Sequence, residues 1–205
     1  MNTSPTIMCN KALDFIGAAT IGNFDDATER SLSALKCRRF WPTVWPAVCR
    51  SHPWKCISRQ ASLTEAGAEP LHTYSYSFRL PADYLRMVSM DDPRRRYRLI
   101  GHEIQCNTTP AIIDYVYRCT DWSLYTEDLE RCIYLNLAYE LAYSLASNVE
   151  IADRVKGELE KFFLPLARMT DAVEGGAEEI EAGTFTDQFL SGGRGRRGRI
   201  DEWMI

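Results

Sequence analysis

Apolar positions along this 205-residue chain change period twice, and the changes divide it into three parts. Near the N-terminus Met8, Ala12, Leu13, Ile16 and Ala19 recur at helical spacing. Gly17 and Gly22 bracket the end of that helix. Asp25 or Asp26 is placed to cap a second one, with Glu29 in its first turns. Leu32, Leu35, Cys37, Phe40, Trp41, Val44, Trp45 and Val48 give this second helix a heavy apolar face. Pro42 and Pro46 fall inside it and are expected to break or kink it, because proline lacks the N–H and crowds the preceding turn. Core packing is the first role expected of Trp41, Trp45 and Trp54, and a subunit interface the second.

Between about residues 55 and 120 the period becomes two. Tyr74 to Phe78 alternates, Leu85 and Met87 share a face, and Tyr97, Leu99, Ile104 and Cys106 suggest short strands with a turn at Gly101. Ile112 to Tyr117 is rich in β-branched and aromatic residues. Four to six short antiparallel strands are expected here. Helical spacing returns after Thr126, a plausible N-cap, through Leu129, Cys132, Ile133, Leu135, Leu137, Leu141 and Leu145. Asn148 separates this from a last helix, Val149 to about Met169, with Val155, Leu159, Phe162, Phe163 and Leu166 as its expected buried face.

The predicted fold is therefore α+β and mainly a helical bundle. Two N-terminal helices (7–53) and two long C-terminal ones (126–169) surround a small antiparallel β insertion (55–120). Residues 1–170 form the expected body and 171–205 an extended C-terminal arm. From Asp171 to Leu190 the arm is acidic, with no basic residue; it then turns glycine-rich and cationic through Arg194, Arg196, Arg197 and Arg199. A segment of this composition is not expected to bury enough surface on its own chain to offset its ordering entropy. Apolar residues still punctuate it: Ile180, Phe185, Phe189, Leu190 and Trp203 read as hooks that order on a partner. Fully extended, the arm reaches roughly 115 Å at about 3.3 Å per residue.

Charge and candidate chemistry narrow the function classes. The net charge is −4 and the pI about 5.5, while the body balances its acidic and basic residues, which argues against a dedicated DNA-binding surface. Seven scattered cysteines without CxxC spacing exclude a zinc ribbon and suggest a reducing compartment. No signal peptide or membrane-spanning run is read, so synthesis in a cytoplasm is expected. His52, His72 and His102 pair with no cysteine at metal-ligand spacing, and no nucleophile signature marks an enzyme, so no catalytic, metal or cofactor residue is assigned. Asp91-Asp92 and Glu178-Glu179 read as solvated charge. Asp92-Pro93-Arg94-Arg95-Arg96 reads as an exposed hairpin connection, with a phosphate-binding turn as the competing reading. A nucleic-acid-binding module built on Arg94 to Arg96 and the Arg-Gly segment is the rival to an assembly protein.

One run of motifs points further. Phe78-Arg79-Leu80-Pro81-Ala82-Asp83-Tyr84-Leu85-Arg86 resembles the head–tail adaptor proteins of tailed phages, called tail tubular protein A in short-tailed phages. In the same order, Cys9 to Leu13 with Ile16-Gly17 looks like the family's opening helix, and Trp54 like the tryptophan closing its second. Gly101, Ile112 to Tyr117 and Asp121 resemble its strand before the third helix, Leu137 to Ala142 the Leu-Ala repeat of that helix, and Gly183-Thr184-Phe185-Thr186 its Phe-containing tail. The prolines in helix two and the Arg-Gly ending depart from the pattern. The resemblance implies a structural virion protein at the head–tail junction, with no enzymatic activity. It implies a homo-oligomeric ring, usually of twelve copies, beneath the portal. The ring continues the DNA channel without sequence-specific binding and offers a platform to the next tail protein, a nozzle or tail tube. Portal contact falls to the hooks and to Arg194, Arg196 and Arg197. Pro81 and Asp83 are expected to be architectural, setting the turn between two strands through backbone N–H groups bonded to Asp83.

Overall fold

A computed structural model describes residues 3–67, 70, 73–91, 96–146 and 149–174. Helix α1 (Pro5–Phe15) starts at Ser4, whose hydroxyl accepts from Ile7 N, and has proline at its first position, where no N–H is required. Met8, Cys9, Ala12 and Leu13 are fully buried, and the helix ends at Gly17 in the left-handed region (φ 71°). Ala19 lies past that end and is exposed.

Helix α2 (Leu32–Ser51) begins at Ser31, whose hydroxyl accepts from Ala34 N. Asp26 instead closes a local turn on Thr28. The expected break at the prolines does not occur: α2 is one continuous helix across Pro42 and Pro46. The two are four residues apart on the outer face, Pro42 exposed and Pro46 half-buried, so the carbonyls they leave unpaired lie on the side that water reaches. The opposite face buries Cys37, Trp41, Val44, Trp45, Val48 and Cys49, and this burial outweighs two missing helix bonds. Trp41 stacks on Trp45 at 6.0 Å and both rings meet Trp122.

Helix α3 (Glu127–Leu141) is capped by Thr126, with Glu127, Asp128 and Glu130 favourably placed in its first turn, and it continues through a wider turn, Ala142–Ala146. Helices α4 (Val149–Glu158) and α5 (Leu164–Glu174) are joined without a break by another wide turn, Leu159–Phe163. That turn shifts the buried face by one residue. Ala152, Val155 and Leu159 point inward before it, and Ala167 and Asp171 after it. Phe162 and Leu166, read as buried from a 3.6-residue period, are instead 67% and 46% exposed.

Among the described residues seven strands form two antiparallel sheets: β1 (Ser58–Ser62), β2 (Thr64–Glu65), β3 (Tyr76–Arg79), β4 (Tyr84–Met90), β5 (Tyr97–Ile100), β6 (Glu103–Cys106) and β7 (Ile112–Tyr117). One sheet has the order β1-β7-β4 and the other β2-β3-β6-β5. Leu63, Phe78, Leu80, Met90, Ile104, Cys106, Ala111, Ile113 and Tyr115 fill a core of their own between them. The expectation of a mainly helical bundle with a small β insertion is thus corrected. The fold is α+β with four helical rods, about 51% helix and 20% strand among the described residues, and the β part is a second packed layer with its own interior.

Strand β7 joins the two halves. Its odd positions Ile113 and Tyr115 enter the β core, while Val116, on the other face, belongs to the helical core with α1, α2 and α3. A strand buried on both faces reads as a nearly unbroken apolar run, as Ile112 to Tyr117 does. The seven cysteines are free thiols, and Cys9, Cys37, Cys49, Cys106, Cys119 and Cys132 are buried as small apolar groups. Among the described residues no helix is long and apolar enough to cross a membrane.

Candidate functional site

Leu80 to Asp83 does not turn one strand into its neighbour. Strands β3 and β4 lie in different sheets, so the segment is the crossover between them. Proline at 81 keeps Leu80 extended, and the buried Leu80 side chain enters the β core. Leu80 N donates to His102 O at 2.9 Å, holding the crossover to β6, and Tyr84 N donates to Pro81 O at 3.1 Å.

Asp83 acts differently from the expected turn acceptor. Its carboxylate takes a hydrogen bond from the Tyr115 hydroxyl at 3.2 Å and an ion pair from the Arg59 guanidinium, while Arg59 Nε donates to the same hydroxyl at 2.7 Å. Its own carbonyl accepts from Arg118 N at 2.7 Å. Arg59 lies over the Tyr117 ring at 4.4 Å, and Tyr84 stacks on Tyr115 at 6.0 Å. The network therefore links β1, β7 and the start of β4 across one sheet. Burial is the main cause that pushes the Tyr115 hydroxyl up from its ordinary pKa, so it stays a proton donor for Asp83. Strand β4 then shifts register twice against β7, between Tyr84 and Arg86 and between Met87 and Ser89, which bends it.

Replacing Asp83 with alanine removes the acceptor for a hydroxyl on a side chain only 1% exposed and one half of a partly exposed ion pair. The expected cost is about 1–2 kcal/mol, most of it from the stranded hydroxyl and little from the ion pair. Asparagine, which keeps one acceptor oxygen, should restore most of it. Urea denaturation of the three proteins measures this; an alanine variant as stable as the parent would leave Asp83 without an architectural role.

A second polar cluster fastens α5. Asp171 is buried, accepts from Lys55 N at 2.9 Å, and meets His52 Nε2 at 3.0 Å; Lys55 Nζ donates to Ala172 O at 3.1 Å. The end of α5 is thereby tied to the link between α2 and β1. Sequence reading assigned Asp171 to the arm, and nothing in its local pattern marks it as an anchor, since His52 lies far away along the chain.

An open cleft of about 590 Å³ lies between α1 and α3, lined by Lys11, Asp14, Phe15, Glu127, Glu130, Arg131 and Tyr134. Glu130 is buried there, paired with Lys11 Nζ at 3.1 Å and with the Thr3 hydroxyl. Both partners hold it in a structural role tying the N-terminus to α3. Among the described residues no three His, Cys, Asp or Glu side chains are grouped to hold a metal ion. His52 pairs with Asp171, and His102 is exposed with its carbonyl engaged by Leu80.

The expected hooks Ile180, Phe185, Phe189, Leu190 and Trp203, and the cations Arg194, Arg196 and Arg197, lie outside the described residues, as do Arg94 and Arg95. Arg96 is exposed just before β5. The residues that the crossover brings together, Arg59, Asp83 and Tyr115, come from three separate stretches. Only Asp83 carried a signal in sequence, through the Leu-Pro-x-Asp pattern. Compared with family models and with curated proteins, the chain matches none.

Proposed function

We propose that this chain is a structural virion protein, the head–tail adaptor between the portal and the tail of a phage, and not an enzyme. In this reading twelve copies form a ring beneath the portal. The ring continues the DNA channel without sequence-specific binding, and its other face receives the next tail protein. The chain is made in the host cytoplasm and ends in the virion. The observation that carries the reading is the fate of the Leu80-Pro81-x-Asp83 motif, on which the resemblance rests. Its one charged side chain is engaged by Arg59 and Tyr115 and so ties strands together, as an architectural motif would. Exposed apolar residues on separate elements, Leu32 and Leu35 of α2 and Tyr97, Leu99 and Ile100 of β5, add support, because a ring subunit needs two different contact surfaces.

The test is reconstitution. Purified chain is mixed with the portal protein of its virion and imaged by electron cryomicroscopy, with light scattering for mass. Rings of twelve seated on the portal are expected. A monomer that ignores the portal and shifts duplex or single-stranded DNA in a salt-dependent way would replace this reading with the nucleic-acid module. The arm is tested by truncation after Glu174, which keeps the Asp171 anchor that a cut after Met169 would remove. Particles built with the truncated chain should lack tails, and infectious particles would refute the portal role of the hooks.

A further inference from the structure

The outer face of α5 has the composition of a buried surface. Leu166, Met169 and Val173 of α5 are 46%, 60% and 76% exposed, and Phe162, in the wide turn just before α5, extends the stripe and is 67% exposed. Pro165 and Ala172, also exposed, fill the positions between them. A helix face that water alone covers carries polar groups there. Lys161 and Arg168, both exposed, stand next to Phe162 and Met169 in the chain.

The chain that continues from Glu174 has the matching chemistry. Gly175-Gly176 permits a reversal of direction at the end of the helix. Ile180, Phe185, Phe189 and Leu190 then alternate with Glu178, Glu179, Glu181 and Asp187, without a basic residue. From Phe162 to Val173 the stripe is about 16 Å long at 1.5 Å per residue. An extended segment covers that in about five residues, so 177–190 is long enough to return along all of it. A tether this short gives an effective concentration in the millimolar range, which favours the chain's own segment over a second copy offering equal contacts.

We propose that the outer face of α5 is the docking surface for residues 177–190 of the same chain. The apolar side chains of the segment cover Phe162, Leu166 and Met169, and its carboxylates lie beside Lys161 and Arg168. This concerns the free chain and goes beyond the adaptor reading; it requires no portal, so either can fail alone.

The experiment uses the full-length chain and a glutamate-specific protease, following cleavage after Glu181. Two double variants are compared with the parent, L166S/M169S on the exposed face and F185S/F189S on the segment. Each should be cut about tenfold faster than the parent, the ratio that about 1.4 kcal/mol of docking corresponds to. Each should also bind an apolar dye more strongly if one cover has been lifted from the other. Thermal midpoints close to that of the parent show that the body stays folded in both. A parent cut as fast as the variants overturns the proposal. So does protection that fades on dilution together with a mass of two chains, which would give the face to a second copy.

Discussion

Replacing Trp54 with alanine should lower the stability of the chain by about 3–5 kcal/mol, the range for removing a fully buried indole. Trp54 is 1% exposed and sits where α2 passes into β1. Its Nε1 donates to Val48 O at 3.1 Å, its ring meets the His52 ring at 4.7 Å, and its carbonyl accepts from the Ser58 hydroxyl at 2.6 Å. It therefore fixes the angle between the helical half and the first strand, beside the Asp171 anchor. A cavity at this junction has little room to collapse, because α2, β1 and α5 are held around it by their own hydrogen bonds. The cost is a large share of the about 5–15 kcal/mol that a domain of this kind has in total. Urea denaturation should show a lower midpoint with an unchanged slope. A loss under about 1 kcal/mol would mean that the indole is not packed as described. Phenylalanine at 54 should fall between, since it keeps most of the volume and loses the N–H.

Tyr125→Phe should cost about 2–4 kcal/mol although it removes a single oxygen. The hydroxyl is buried between three groups. It accepts from Trp45 Nε1 at 2.8 Å, donates to Cys119 O at 2.8 Å, and lies 3.9 Å from Cys49 Sγ. Phenylalanine leaves the indole N–H and the carbonyl unpaired where water does not reach, and each stranded group costs about 1–3 kcal/mol. Burial is the main cause that drives the Tyr125 hydroxyl far above its ordinary pKa of 10.0. The sign of the pH effect follows. Below pH 10 the hydroxyl is neutral in both the folded and the unfolded chain and its contribution is complete. Above pH 10 the unfolded chain ionises and gains free energy that the folded chain cannot. The advantage of the parent over the variant should therefore shrink as pH rises from about 10. Denaturation curves at neutral and alkaline pH check it, and a gap that widens with pH would contradict the buried neutral hydroxyl.

Much of the helical half was legible because its signals are local. The Thr126 cap, the acidic first turn of α3, the glycine at the end of α1 and the apolar stripes of α1 and α3 each depend on residues within one or two turns. The strand Ile112 to Tyr117 was legible for the same reason. The fourth rod was legible in its start, but it was read as ending near Met169 when it runs to Glu174, and it was wrong in phase. A single wide turn at Leu159–Phe163 slips the face by one residue, and periodicity carries no sign of where such a turn falls. Proline at 42 and 46 was read by its local cost alone; the α2 face opposite them outweighs that cost.

The amino-acid sequence by itself determined where the helices and most strands lie, the balanced charge of residues 1–170 and the acidic run after them, and that Leu80-Pro81-x-Asp83 links two strands, because each rests on composition or on neighbours a few residues apart. Only the tertiary structure decided that the strands form two sheets with their own core, that Asp83 answers to Arg59 and Tyr115, that Asp171 is an anchor, and that α5 turns an apolar face outward. Those facts depend on contacts between residues tens of positions apart. Such contacts form when closing the intervening loops costs less than the surface buried repays, a balance that no local window of residues contains.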